Sequence, residues 1–528
     1  MSDPTFGISI TRIDNEPRPP VWSDMSVVGL IGTVPQAQAA IAASGTFGIG
    51  NSGLTVAAQT EGAAGNNISL ALVNPAANSE AIAVTVTNYA IVVSLATDAG
   101  GEITSTATDV LDAIEGDAGA DVIVAVGYAS GGDGSEVMAA KAATKLTGGL
   151  DEPFPLNTPV FMYSDDAMKL GYLGEEGTLL DALQLVNNQL GEFQVAAKVV
   201  VVRVAEGVDA DATIANIVGN QINTGLSAFL TAGTDLGVIP RLLMAPGYTS
   251  QQSTPQFANP VCAALPAICE KLLAHAVVDG PATTEQAAID WRETISSDRL
   301  IPVDPAVKVL DDGMIVVQPA SPAIIGIGVR RDHEKQGRPF HSWANQPIQG
   351  ILGPSRSIGF SLTDGATEGQ RLLAANVGVI LRGEMGVESA IASGGYVYVG
   401  TDNAGEDDLW RFYNVTRGRD YIHLMLLRTL RFYLGRFNIT GQTIQAVLNT
   451  MDSGMRSLKA DGDILGFEIK FTRDQNSPEE LRQGRFTVNF AAEEAPVLRY
   501  LGIQSARYRP ALDTLLDDLL AQIGTITG

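Results

Sequence analysis

Hydrophobic positions change period several times along this chain. Phe6, Ile8 and Ile10 alternate with Gly7, Ser9 and Thr11, a period-2 pattern that predicts a strand. The segment Asn15-Glu16-Pro17-Arg18-Pro19-Pro20 then stiffens the backbone. With no hairpin partner nearby, the strand must pair at a distance, within its own chain or with another. A second strand is predicted over 26–31, ending at Gly32, and a short helix near 36–43. Residues 46–150 read as a separate unit, with paired strands at 81–86 and 90–95 and a helix over 105–114. The turn-rich Gly148-Gly149-Leu150-Asp151-Glu152-Pro153-Phe154-Pro155 closes it as a linker.

From about 156 strands and helices alternate. Leu179, Leu183, Val186 and Leu190 mark one helix face, and residues 198–204 read as a buried strand. Further strands are predicted at 238–244 and 276–278. Asn259-Pro260 caps a helix running toward Leu273, and another covers 284–295. Asp311-Asp312-Gly313 joins two short strands as a hairpin, and Ser321-Pro322 opens the next helix as cap and first turn. This βαβ rhythm predicts a doubly wound sheet. In the last 120 or so residues, Ile422, Met425, Leu426, Leu430 and Leu434 have helical spacing, as do Ile444, Val447, Leu448, Met451, Met455 and Leu458. Two amphipathic strands follow, Phe467/Ile469/Phe471 and Phe486/Val488/Phe490. A final helix carries Leu512, Leu515, Leu516, Leu519, Leu520 and Ile523 opposite Asp513, Asp517 and Asp518.

Composition narrows the function classes. The 528 residues exceed one ordinary core, so three or four folded units are expected. A net charge of −25 disfavours nucleic acid and anionic membranes, which both select for excess Lys and Arg. No segment has the apolar length of a membrane span, and Met1-Ser2-Asp3-Pro4 does not begin like a signal peptide, so folding in a cytoplasm is expected. In the 46–150 unit Asp and Glu greatly outnumber Lys141 and Lys145, which suits an exterior surface. The two cysteines, Cys262 and Cys269, make no disulfide framework. They read either as buried small hydrophobes or as inter-subunit thiols.

A search for chemistry finds no catalytic, cofactor or metal site. The histidines His275, His333, His341 and His423 fall in no metal-ligand spacing. Gly48-Ile49-Gly50-Asn51-Ser52-Gly53 matches a dinucleotide fingerprint in letters, but the residues after it look extended rather than helical, so a turn is expected. Walker and nucleophile-elbow motifs are missing. The strongest electrostatic feature is the run Arg411, Arg417, Arg419, Arg428, Arg431 and Arg436 against one Asp420. It reads either as intrachain pairing or as a basic face for an acidic partner.

The order of several loose motifs resembles the contractile phage tail sheath family. The run Asp332…Gly337…Trp343-Ala344-Asn345-Gln346-Pro347-Ile348-Gln349-Gly350 is similar to the family's central signature, continuing through Gln370, Leu372, Asn376, Val377 and Ile380. Residues 395–401 and Trp410-Arg411-Phe412-Tyr413-Asn414-Val415-Thr416-Arg417 look like its later motifs, and Gly177-Thr178-Leu179 leading to Val201-Val202-Arg203-Val204 like its helix-to-strand unit. The 6–20 arm followed by Gly29-Leu30-Ile31-Gly32 is similar to a sheath N-terminus. Only 46–150 falls outside the likeness, and the helix near 510–523 extends beyond it.

The resemblance implies an α/β and α+β multidomain chain. It comprises a tube-proximal α+β core domain built from both chain ends, a central subtilisin-like α/β domain at 151–408 and a β-rich inserted outer domain at 46–150. Residues 1–45 would be an arm and the start of the core, and 409–528 the C-terminal tube-proximal domain with a terminal arm. The implied activity is structural, without enzyme chemistry or cofactors: hexameric discs stack around an inner tube and contract in a virion tail. Implied partners are further copies, the tail tube protein, and baseplate and tail terminator proteins, with no nucleic-acid contact or membrane insertion. In such a polymer Phe6, Ile8 and Ile10 would be a donated strand. Phe467, Ile469, Phe471, Phe486, Val488 and Phe490 would form the receiving sheet, and Arg417, Arg419, Arg428, Arg431 and Arg436 would face the tube. Alternatives are the sheath of a phage-derived bacterial injection particle, a subtilisin-like hydrolase, or an adhesin suggested by the insert.

Overall fold

The computed structural model describes residues 19–191, 195–252, 254, 256–383 and 395–524. Its centre is a six-stranded sheet of β1 (Val28–Thr33), β2 (Pro159–Tyr163), β3 (Lys198–Val204), β4 (Leu242–Met244), β5 (His275–Asp279) and β6 (Leu300–Val303), in the order β6-β5-β4-β1-β3-β2. All pairings are parallel except β2 with β3. Strands covered on both faces read as unbroken apolar runs, as in Lys198-Val199-Val200-Val201-Val202-Arg203-Val204. Val199 and Val201 face one core, where α1 (Leu179–Leu190) and α3 (Ser321–Glu334) pack together. Val200 and Val202 face the other, covered by α2 (Pro260–Leu272). The Asn259 side chain caps α2 as its sequence predicts, accepting from Val261 N at 2.8 Å. Ser321 behaves differently from a cap. It is the first residue of α3, and its amide and hydroxyl both donate to Asp279 at the end of β5, at 2.7 and 2.6 Å.

The placement of β1 corrects one expectation. Residues 28–33 lie in the middle of the central sheet, between β3 and β4, and not in a unit shared with the chain's C-terminal part. The segment just before them does lie with the C-terminal helices: the rings of Trp22 and Tyr421 stack at 5.3 Å, and Met25 is buried beside Met425 and Met455. No helix forms at 36–43. Pro35 precedes that stretch, and its amides go instead to Tyr172 O from Gln38 (2.9 Å) and to Leu150 O from Ile41 (2.9 Å).

Residues 43–146 enclose a core of their own, around Phe47, Leu70, Val93, Val110, Ile114 and Leu146. A four-stranded sheet and a three-stranded sheet flank the helix Ala107–Gly116. Entry and exit run side by side, bridged at Ile41↔Leu150 and Ser44↔Thr147. The fingerprint-like glycines form a tight turn through Gly50–Ser52, and a strand, Leu54–Ala58, follows where a nucleotide site would need a helix. The predicted hairpin at Asp311-Asp312-Gly313 joins Val307–Asp311 to Met314–Gln318. Its turn residues Asp312 and Gly313 take φ of 44° and 79°.

The C-terminal part comprises α4 (Tyr413–Leu430), α5 (Gly441–Ala460), a two-stranded antiparallel sheet of β7 (Ile464–Lys470) and β8 (Asn489–Glu494), and α6 (Pro510–Ile523). Met425, Val447, Met451 and Met455 enter its core at the predicted helical intervals, and Ile464 joins them from β7.

Candidate functional site

Four residues of the motifs, Asp332, Trp343, Tyr413 and Arg417, meet in one buried joint. Asp332, near the end of α3, takes a two-pronged ion pair from Arg417 on the second turn of α4, with contacts of 2.6 and 3.2 Å and both side chains 0% exposed. The same guanidinium donates to Met25 O at 3.3 Å and lies 4.9 Å over the Trp343 ring. Ser26 Oγ adds a third donor to Asp332 at 3.1 Å. Burial pushes the Asp332 carboxyl above its ordinary range, while Arg417 opposes that shift. Tyr413 completes the joint: its hydroxyl accepts from Trp343 N at 2.8 Å and donates to Gly400 O at 3.0 Å. About one turn beyond Arg417, Asp420 pairs with Arg299, and Thr416, just before Arg417, meets His275 Nε2 at 3.0 Å. Burial, then Arg299 and Arg417, hold His275 well below its usual pKa, hence neutral. The first half of α4 is thus bolted to α3 and to the central sheet through groups that are buried or nearly so.

The anticipated basic face shrinks accordingly. Arg417 cannot meet a tube because it is entirely internal, and Arg419 is engaged by Glu494 at 2.6 and 2.9 Å and by Ala492 O at 2.7 Å. Sequence counting finds the charges but not their partners, 75 and 85 residues away. Arg428, Arg431 and Arg436 remain exposed along the end of α4 and the turn after it.

Of the proposed receiving sheet, Phe467, Ile469 and Phe490 lie in β7 and β8, partly buried against α4 and α5. Phe471, Phe486 and Val488 fall outside the ladder. The Asn476 side chain takes the place of a strand partner there, accepting from Thr487 N at 2.7 Å and donating to Thr487 O at 2.9 Å. Among the described residues β7 and β8 pair only with each other, leaving both outer edges open. A groove of about 850 Å³ runs beside β7, lined by Phe467, Ile469, Phe471, Leu448, Arg456 and Lys459. The arm residues Phe6, Ile8 and Ile10 lie outside the described residues. At the other end the chain leaves β8, is held by Arg499 on Asp402 (2.7 Å), and then extends with Tyr500, Leu501, Ile503 and Tyr508 exposed.

Cys262 and Cys269 do not serve as inter-subunit thiols in this fold. Both are free and buried in α2, where Cys262 Sγ lies 3.3 Å from Thr249 O. Burial drives both thiols up, Cys269 to about 12. Among the described residues no cluster of His, Cys, Asp and Glu could hold a metal ion, and no helix is long and apolar enough to cross a membrane.

No protein-family model matches the chain. It is 28% identical over 340 residues to a putative prophage major tail sheath protein of Pseudomonas aeruginosa (strain UCBPP-PA14), across 64% of this chain and 83% of that relative. The chain is a homologue of the tail sheath proteins. A second sheath relative, the tail sheath protein of Escherichia phage P2, is 25% identical over 365 residues, across 67% and 86% of the two chains. These sheath proteins are structural, not enzymes. The mixed α/β fold of this sheath homologue resembles the anti-feeding prophage helical sheath in its contracted state. The TM-score is 0.51 at 16% identity, over 67% of this chain and 89% of that one.

Proposed function

We propose that this chain is the repeating subunit of a contractile tail sheath. Copies stack as hexameric discs around an inner tail tube, bounded by baseplate and terminator proteins, and contraction drives the tube through a host envelope. They are assembled in the host cytoplasm and carried on the virion tail. The observation that carries this reading is the β7–β8 pair with two open edges, together with a C-terminal stretch whose Leu498, Tyr500, Leu501, Ile503 and Tyr508 stand exposed. Strands donated by neighbours, with Phe6, Ile8 and Ile10 in one of them, complete the sheet by β-augmentation. Main-chain pairing there persists while bodies swing as rigid units about it, so contraction needs no nucleotide. The exposed Arg428, Arg431 and Arg436 surface offers a docking face to an acidic partner.

Deleting residues 1–14 tests the arm: a folded, non-polymerising chain is expected by circular dichroism and negative-stain microscopy. Normal sheaths from that deletion would remove strand donation from the account. A second reading, the sheath of a phage-derived injection particle, is favoured by the fold likeness to the anti-feeding prophage sheath. Capsid genes beside this one would decide against it.

A further inference from the structure

Two apolar surfaces of this chain are left open, and they are complementary. On α6, Leu512, Leu515, Leu516, Leu519, Leu520 and Ile523 are each 40 to 68% exposed, and no residue of the helix is buried. This row spans about 16 Å at 1.5 Å per residue. Asp513, Asp517 and Asp518 flank it, and Pro510–Ile523 contains no Lys or Arg. A helix of this length is marginal alone in water and depends on covering its apolar face. The second surface is a groove of about 430 Å³ on the last turns of α4, lined by Leu273, Leu426, Leu427, Leu430 and Leu434 with Arg431 at its rim. Leu427 and Leu434 are 61 and 77% exposed, and Arg428 and Arg436 stand exposed on the same stretch. The leucine row matches a leucine-lined groove, and acidic flanks match a basic rim. An acidic helix without cations is also poorly suited to an anionic membrane.

We propose that α6 of one copy seats in the α4 groove of an adjacent copy, with Asp513, Asp517 and Asp518 against Arg428, Arg431 and Arg436. This rests on the sheath reading and names the acidic partner of the basic face as a second copy of the chain. The interaction is of the helix-in-groove kind, independent of strand pairing at β7 and β8. It ties neighbours at the end of α4 remote from the Arg417 joint.

The test uses full-length chains. One carries Leu427→Cys and the other, with a mass tag, Leu516→Cys; the native thiols are buried and silent. Mixed under polymerising conditions with a short bismaleimide, they are expected to give a cross-linked heterodimer that neither forms alone. Arg431→Asp in the groove copy should lower its yield about tenfold, and Asp517→Arg in the helix copy should restore it. Polymers without the heterodimer, a chain carrying both Leu427→Cys and Leu516→Cys that cross-links only within itself, or cross-links to the tube protein in its place would each overturn the proposal and leave the sheath reading standing. Wild-type chains that never polymerise would sink both.

Discussion

Replacing Arg417 by Met interrogates the joint between α3 and α4 most directly. The methionine keeps much of the stem that packs on Trp343 but removes every donor to Asp332 except Ser26 Oγ at 3.1 Å. Breaking a buried ion pair from one side costs about 3–5 kcal/mol, since the remaining charge has neither water nor a counter-charge. At about 2–4 °C per kcal/mol for a unit of this size, the melting transition should fall by roughly 10 °C. Tryptophan fluorescence should report it, because Trp343 lies in the joint. The sign of the pH dependence is also fixed. Without Arg417, the folded pKa of Asp332 rises further above its unfolded value. The native state then holds the extra proton, stability falls as pH rises, and the loss should be smaller near pH 4 than near pH 8. Arg417→Met with Asp332→Leu should recover most of the loss, because apolar replacement of a buried pair is often neutral. A single variant melting within about 2 °C of wild type, or a double variant no better than the single, would refute this account of the joint.

Other outcomes are equally specific. Cys262 and Cys269 should resist a thiol reagent at pH 8 until denaturant is added, and purified sheaths should run as monomers on a non-reducing gel. Asp279 is held up at about 6 by burial, which outweighs the two bonds from Ser321. Against an unfolded carboxyl near 4, it should lower stability by roughly 2–3 kcal/mol as pH rises from about 4 through 6, and Asp279→Asn should flatten that slope in urea melts. An added Cβ at Gly328 would stand 2.7 Å from the buried Trp343 ring, so Gly328→Ala should destabilise by about 1–3 kcal/mol. Gly171→Ala, in a helix with open space around the position, should be neutral or stabilising by up to about 1 kcal/mol in the same thermal melts.

Local physics made many elements readable in advance. Asn259-Pro260, Asp311-Asp312-Gly313 and the leucine row of α6 each bring their own cap, turn or period, so the structure places them where the pattern does. What stayed hidden depends on distant partners. A run such as Val28-Gly29-Leu30-Ile31 reads as a strand but does not say which sheet receives it, and the answer lies near residues 199 and 242. Arg417 and Arg431 look alike in sequence, yet one is sealed against Asp332 and the other stands in solvent. The break before β8 was equally illegible, because it depends on one asparagine folding back onto Thr487. Of the assembly surfaces, the alternation at Phe467, Ile469 and Phe490 was visible, whereas the groove on α4 exists only once Leu273 is brought beside it from α2's end.

The side-by-side bridges at Ile41↔Leu150 and Ser44↔Thr147 give the 43–146 unit a single narrow neck. Whatever that unit becomes, the central strands on either side of the neck keep their register, since none of them passes through it. Foreign sequence spliced at that neck should therefore leave the pairing of the six central strands unchanged.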